Sequence, residues 1–208
     1  MAVEILVVGQ LGTNCYLVYD KDSRDCFILD PGDDADFIIR KIQDLKLKPK
    51  AILATHGHFD HVLAVTELKL TLKIPFYLHC QDNSLLKRAT KTAKYFTNVN
   101  HDPVSIVDKY LRNNQILKAG RLGLKVLETP GHTQGSISFL TKGCIFVGDV
   151  IFSNGSFGRT DLEGGDYKAL RKSIKKILFL PSDSIIYPGH GEVTTVKEER
   201  KYYTSLLK

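Results

Sequence analysis

Apolar and polar positions change period repeatedly along this chain. Runs rich in β-branched and aromatic residues at about 3–8, 14–20 and 25–30 predict three opening strands. Phe37, Ile38, Ile42 and Leu45 then recur at helical spacing and predict a helix over about 34–46. A strand at 50–54, a helix over about 62–72, a short strand at 75–79 and a helix starting near Asp82 follow. After a polar stretch, strands are expected near 115–118, 122–128, 135–141 and 144–148. A helix over about 166–179 presents Leu170, Ile174 and Ile177 on one face. A strand at 184–187 and a final helix near 196–207 complete the pattern. Strands in groups broken by helices fit an α+β two-sheet sandwich with helices outside.

Composition narrows the class. With 208 residues and 43% hydrophobic content, residues 1–208 are expected to form one compact domain. No apolar run is long enough to cross a bilayer. The N-terminal segment Met1 to Val8 lacks a basic region and carries Glu4 among its apolar residues, so it reads as a strand and not as a signal peptide. Cys15, Cys26, Cys80 and Cys144 are widely spaced with no Cys-x-x-Cys, which predicts reduced thiols and a cytoplasmic protein. The net charge is +6, and the densest basic stretch runs from Lys87 to Lys94. Such a stretch could attract an acidic substrate or nucleic acid. The expectation favours a solvated helix face.

The most informative segment is Thr55-His56-Gly57-His58-Phe59-Asp60-His61, directly after the apolar run Ala51 to Ala54. It holds three of the seven histidines. Neutral imidazole and carboxylate are the usual ligands of zinc and similar divalent ions. Four ligands on so short a loop cannot all converge on one small ion, and the adjacent Asp60 and His61 leave the backbone in different directions. The spacing suggests two neighbouring metals, His56 and His58 serving one, Asp60 and His61 the other. Three more ligand-type residues follow apolar strands at Gly-containing loops: His132 in Thr129-Pro130-Gly131-His132-Thr133, Asp149 after Gly148, and His190 in Pro188-Gly189-His190-Gly191. Loops at strand ends are where a rigid scaffold presents its chemistry. His79 and His101 stand in contexts that predict structural or solvated roles.

The order His-x-His-x-Asp-His, then His, Asp and His, resembles the metallo-β-lactamase superfamily, and within it the glyoxalase II-like (hydroxyacylglutathione hydrolase-like) branch. Thr13-Asn14-Cys15-Tyr16, Asp30-Pro31-Gly32 and Gly158-Arg159-Thr160-Asp161 belong to the same resemblance, which covers almost the whole chain. It implies a four-layer αββα sandwich with metals at one edge between the sheets. It also implies that His56, His58 and His132 bind one metal, that Asp60, His61 and His190 bind the second, and that Asp149 bridges them. A water or hydroxide between the ions would be the nucleophile, with Asp60 and Asp149 the catalytic carboxylates. Asp30 would orient a ligand imidazole from behind. Arg159 and Asp161 are expected to pin a loop near the site.

The activity implied is hydrolysis of a small thioester, possible with a glutathione carrier, by two divalent ions. Zinc is the first expectation; iron and manganese suit the same ligands. Full-length members carry a C-terminal helical region that grips glutathione, and about eighteen residues follow His190 here. A single domain without that region is therefore expected. Rival readings are an iron-dependent persulfide dioxygenase, a lactonase, and a non-catalytic metal- or nucleic-acid-binding module. No membrane partner is expected and nucleic acid is disfavoured. β-Lactam hydrolysis is disfavoured because the resemblance implies that those enzymes lack the bridging aspartate.

Overall fold

The computed structural model describes residues 1–207. Its first half is a six-stranded sheet in the order β1 (Ala2–Val8), β2 (Thr13–Tyr19), β3 (Asp25–Leu29), β4 (Lys48–Leu53), β5 (Phe76–His79) and β6 (Lys109–Leu111). The first three strands are antiparallel meanders; β3 to β6 run parallel. Parallel neighbours need crossovers, and these are α1 (Ala35–Asp44), α2 (Val65–Leu72) and α3 (Asn83–Thr97). The second sheet contains β7 (Ile116–Ala119), β8 (Leu122–Glu128), β9 (Ile137–Thr141), β10 (Cys144–Gly148), β11 (Ile185–Pro188) and β12 (Thr194–Thr195). Its spatial order is β12-β11-β10-β9-β8-β7. The crossover α4 (Tyr167–Leu178) links the parallel pair β10 and β11, and α5 (Val196–Arg200) and α6 (Thr204–Leu207) follow.

The period-two geometry of strands builds the layers. Along β2, Tyr16 and Val18 face the second sheet and join Phe27, Leu53, Leu124, Phe139 and Phe146 in the inter-sheet core. The alternate residues Cys15 and Leu17 face outward and pack with Ile38 and Ile42 of α1, Leu68 of α2 and Ala89 of α3. On the far side, Ile145, Val147 and Ile186 meet Leu170, Ile174 and Ile177 of α4. Four layers result, in the order helix, sheet, sheet, helix, as expected for the αββα class.

The structure corrects the sequence reading in detail. Phe37 is 40% exposed, while Ile38 and Ile42 carry the buried face of α1. Leu45 caps that helix instead of extending it. The helix expected from residue 62 begins at Val65, preceded by a short 3-10 turn at Phe59–His61. The final helix is broken between α5 and α6, where the Tyr203 hydroxyl donates to the Gly155 and Ser156 carbonyls. The edge strands β6 and β12 were not anticipated. No described helix is long and apolar enough to cross a membrane. All four cysteines are free thiols, with Cys80 alone exposed.

Candidate metal centre

The histidine loop, His132, Asp149 and His190 follow the carboxyl ends of β4, β8, β10 and β11, and the structure brings all seven sequence-predicted ligand residues to one edge between the sheets. The sheets are tied together there by backbone bonds. Ile137 N donates to Thr55 O at 2.9 Å, Asn14 N donates to Gly189 O at 2.8 Å, and Thr13 bridges His190.

Two contiguous groups form. His56 Nε2 lies 3.1 Å from His58 Nδ1, which lies 2.8 Å from His132 Nε2. In the second group, Asp60 Oδ2 lies 3.6 Å from His61 Nε2 and 3.2 Å from His190 Nε2. Asp149 stands between them: Oδ1 is 3.5 Å from His61 Nε2, and Oδ2 is 3.6 Å from His132 and 3.7 Å from His190. A further triad of His56, His61 and Asp149 overlaps both groups, so a single carboxylate reaches each.

The supporting bonds point the lone pairs inward. His132 Nδ1 lies 2.8 Å from the Arg159 carbonyl and His190 Nδ1 lies 3.2 Å from the Leu11 carbonyl. A carbonyl only accepts, so each Nδ1 carries the proton and each Nε2 is free to ligate. Asp30 accepts from the Thr55 amide at 2.7 Å and the Thr55 hydroxyl at 2.8 Å. That hydroxyl lies 3.1 Å from His56 Nδ1, and Asp30 Oδ2 lies 3.2 Å from His61 Nδ1. One buried carboxylate thus sits behind an imidazole of each group. Asp30 adopts a left-handed φ of 50°, a conformation Asp tolerates better than most residues.

Electrostatics sharpens the picture. Burial lowers the pKa of His56 well below its ordinary value, and burial with the neighbouring His132 brings His58 down to about 3. Burial opposes charge on His61 as well, but Asp60, Asp149 and Asp30 outweigh it and push that group up to about 10. Burial would raise Asp60, yet His61 and His190 hold it below the usual carboxylate range.

Do these residues fit metal ions? Among the described residues, His61 Nδ1, His61 Nε2 and Asp149 Oδ1 are buried without a hydrogen bond of good geometry, and of the three Nδ1 has the Asp30 carboxylate beside it at 3.2 Å. Buried polar atoms are nearly always satisfied, and two of these three converge on one point. A Cβ on Gly189 would fall 2.1 Å from Asp149 Oδ1 and 2.9 Å from His61 Cε1, so only glycine leaves room beside the cluster. The donor set and its unmet atoms fit a pair of divalent ions.

Asp82 is a contributor that the sequence marked only as a helix start. It is fully buried and accepts from Gly57 N at 2.9 Å, Thr133 Oγ1 at 2.7 Å and Gly135 N at 2.7 Å. It therefore fastens the loop of His56 and His58 to the loop of His132. Its bonds join segments about 25 and 50 residues away, a relation no local pattern encodes; the only local signal is an acid after a predicted strand. Arg159 forks onto Asp161 at 2.8 and 2.6 Å, the loop-pinning pair expected. His79 is buried, with Nδ1 accepting from Gln81 N and Nε2 3.5 Å from Glu128.

A cavity of about 400 Å³ opens in front of the cluster. His58, Asp60, His132 and Asp149 form its floor, and Phe59, Leu85, Ala89, Phe96 and Leu162 give apolar walls. Arg88 and Glu163 also line it. The basic stretch read as a solvated face thus contributes Arg88, Ala89 and Thr92 to the wall, because one stripe of α3 turns toward the cavity.

The metallo-beta-lactamase superfamily model matches residues 8–190. The chain belongs to that superfamily. The family match together with the His/Asp groups makes it a metallo-hydrolase of that superfamily. A hydroxyacylglutathione hydrolase of Haemophilus influenzae is 37% identical over 97% of this chain and 96% of its own length. BLEG-1, named a B3 metallo-beta-lactamase, superposes with a TM-score of 0.90 at 37% identity, covering 100% of both chains. A protein crystallised in a di-iron-bound form superposes with a TM-score of 0.88 at 36% identity, covering 96% of this chain and 98% of that one.

Proposed function

We propose that this protein hydrolyses small thioesters of the hydroxyacylglutathione type with two divalent ions. The observation that carries the reading is the pair of His/Asp groups joined through Asp149 at the floor of an apolar cavity. The relative of Haemophilus influenzae, similar over nearly its whole length, supports the substrate class.

In this reading His56, His58 and His132 would hold one ion, Asp60, His61 and His190 would hold the other, and Asp149 would serve both. Divalent ions held there supply a water of lowered pKa and polarise a carbonyl. The chain's own residues do the rest. Asp30 and Thr55 fix the tautomer and orientation of His56 and His61, as carboxylates behind ligand imidazoles do. Phe59, Leu85 and Phe96 exclude bulk water from the acyl group. Hydrolysis adds water across the C–S bond and gives a carboxylic acid and a thiol. The thiol has a pKa of about 8.5, so it departs without a dedicated acid. Zinc, iron and manganese all suit the donor set, and the di-iron neighbour keeps iron in view.

Turnover of S-lactoylglutathione by metal-reloaded protein tests the reading. A second reading, opening of a β-lactam, has one observation in its favour: the likeness to BLEG-1. Parallel assays with S-lactoylglutathione and a chromogenic cephalosporin separate the two, since the preferred substrate is the one with the higher kcat/KM.

A further inference from the structure

Arg88 and Arg159 are the cationic side chains that line the cavity. Arg159 is forked onto Asp161 through two nitrogens, whereas Arg88 meets Glu163 through one. Arg88 is placed differently. Its Nε donates to Ser84 O of its own helix at 3.3 Å, which fixes the stem and leaves the terminal nitrogens pointing outward from α3. Nη1 reaches Glu163, 2.7 Å away on the loop before α4, so this one ion pair spans the cavity from α3 to the facing loop. Both side chains are well exposed, at 46% and 68%. Exposed pairs of this kind add little to stability, and Glu163 can be exchanged for another carboxylate at low cost. Leu85, Ala89 and Phe96 continue the same helical stripe as Arg88, giving an apolar wall with one guanidinium on it.

We propose that Arg88 is a carboxylate subsite: it takes a free carboxylate on the thiol half of the substrate, which displaces Glu163 from the guanidinium. A guanidinium binds a carboxylate through two parallel N–H bonds, which also orients the ligand. The substrate class is then a thioester whose carrier is an acidic thiol peptide, with the scissile carbonyl over the His/Asp groups and the carrier's carboxylate at the far rim. This inference rests on the thioesterase reading and makes Arg88 a specificity-determining residue.

The test compares two thioesters with the same acyl group on the metal-loaded full chain. S-Lactoylglutathione has carboxylates on its carrier; S-lactoyl-N-acetylcysteamine has none. Arg88→Gln is expected to raise KM for the first relative to the second by about two- to fivefold, the size of an exposed charge pair. Arg88→Lys recovers part of that loss, and Glu163→Gln shifts the ratio the opposite way. Equal KM changes for both substrates overturn the subsite. If the wild type hydrolyses neither thioester, the thioesterase reading falls, and the subsite is judged by calorimetric binding of S-hexylglutathione to the metal-loaded protein. Weakening by Arg88→Gln of about two- to fivefold then upholds it; unchanged affinity, or no binding by the wild type, overturns it.

Discussion

Asp30 Oδ2 lies 3.2 Å from His61 Nδ1 while accepting the Thr55 hydroxyl that in turn meets His56 Nδ1. One carboxylate at the end of β3 therefore orients an imidazole of each group. Asn tolerates the same left-handed backbone, so Asp30→Asn keeps the turn while removing the charge and setting an amide NH₂ where one of the two accepting oxygens now stands. The expected outcome is a loss of about 10–100-fold in metal affinity, with both ions weakened together. Chelator-competition titration of the purified variant checks it, and wild-type affinity at both positions would count against this role for Asp30.

Protons should leave when metal enters. In the metal-free protein His61 is held up to about 10 by Asp60, Asp149 and Asp30 against the cost of burial. A folded value above the unfolded value of about 6.5 means that this charge stabilises the metal-free fold fully below pH ~6.5. The contribution is lost as pH rises through about 10. Ligation at Nε2 displaces that proton, so at neutral pH metal uptake releases protons, and apparent affinity rises with pH. His56 and His58 are already neutral there and release none. An indicator-dye titration in weak buffer reads the release; metal uptake with no proton release would contradict the charge assignment.

Gly189 closes tightly on the cluster. Its added Cβ would strike Asp149 Oδ1, yet its backbone needs no special φ. Gly189→Ala is expected to fold, because its amide bond to Gly148 O can persist, and to bind at most one metal equivalent with hydrolysis reduced at least about a hundredfold. Circular dichroism and metal analysis on one sample distinguish this from simple misfolding. Full loading with normal turnover would remove the glycine requirement.

Asp82 gives a prediction with a direction. Asn at this position keeps one carbonyl acceptor but sets an amide NH₂ against the donors that now meet the other oxygen. The loops of His56, His58 and His132 lose a shared tie, whereas Asp60, His61 and His190 do not bond to it. Asp82→Asn should weaken one metal position by about tenfold or more and spare the other. Metal per chain at limiting free ion is the readout, and equal loss at both positions would show a general destabilisation instead.

The fold was legible where the chain's periods are long and clear. Strands β2, β3, β9 and β10 of the inter-sheet core lie within runs rich in β-branched and aromatic residues, and α4 shows its apolar stripe openly. The buried strand β2 shows no alternation because both of its faces are covered, but its residue types still mark it. The edge strands Lys109–Leu111 and Thr194–Thr195 escaped because segments of three and two residues carry no periodic signal; neighbouring backbone alone defines them. Phe37 misled because helical spacing does not say how wide the buried stripe is. At the site, the ligand-type residues stood out by type and by strand-end position. Asp82 and Arg88 did not, since what matters for each is a partner far away in the sequence.

The most direct test of the central claim is turnover of S-lactoylglutathione by chelator-stripped protein reloaded separately with zinc, iron or manganese. The account predicts no hydrolysis in the stripped protein and restored hydrolysis with at least one ion, in step with metal bound. Undiminished hydrolysis by metal-free protein, or none with any of the three, would contradict it.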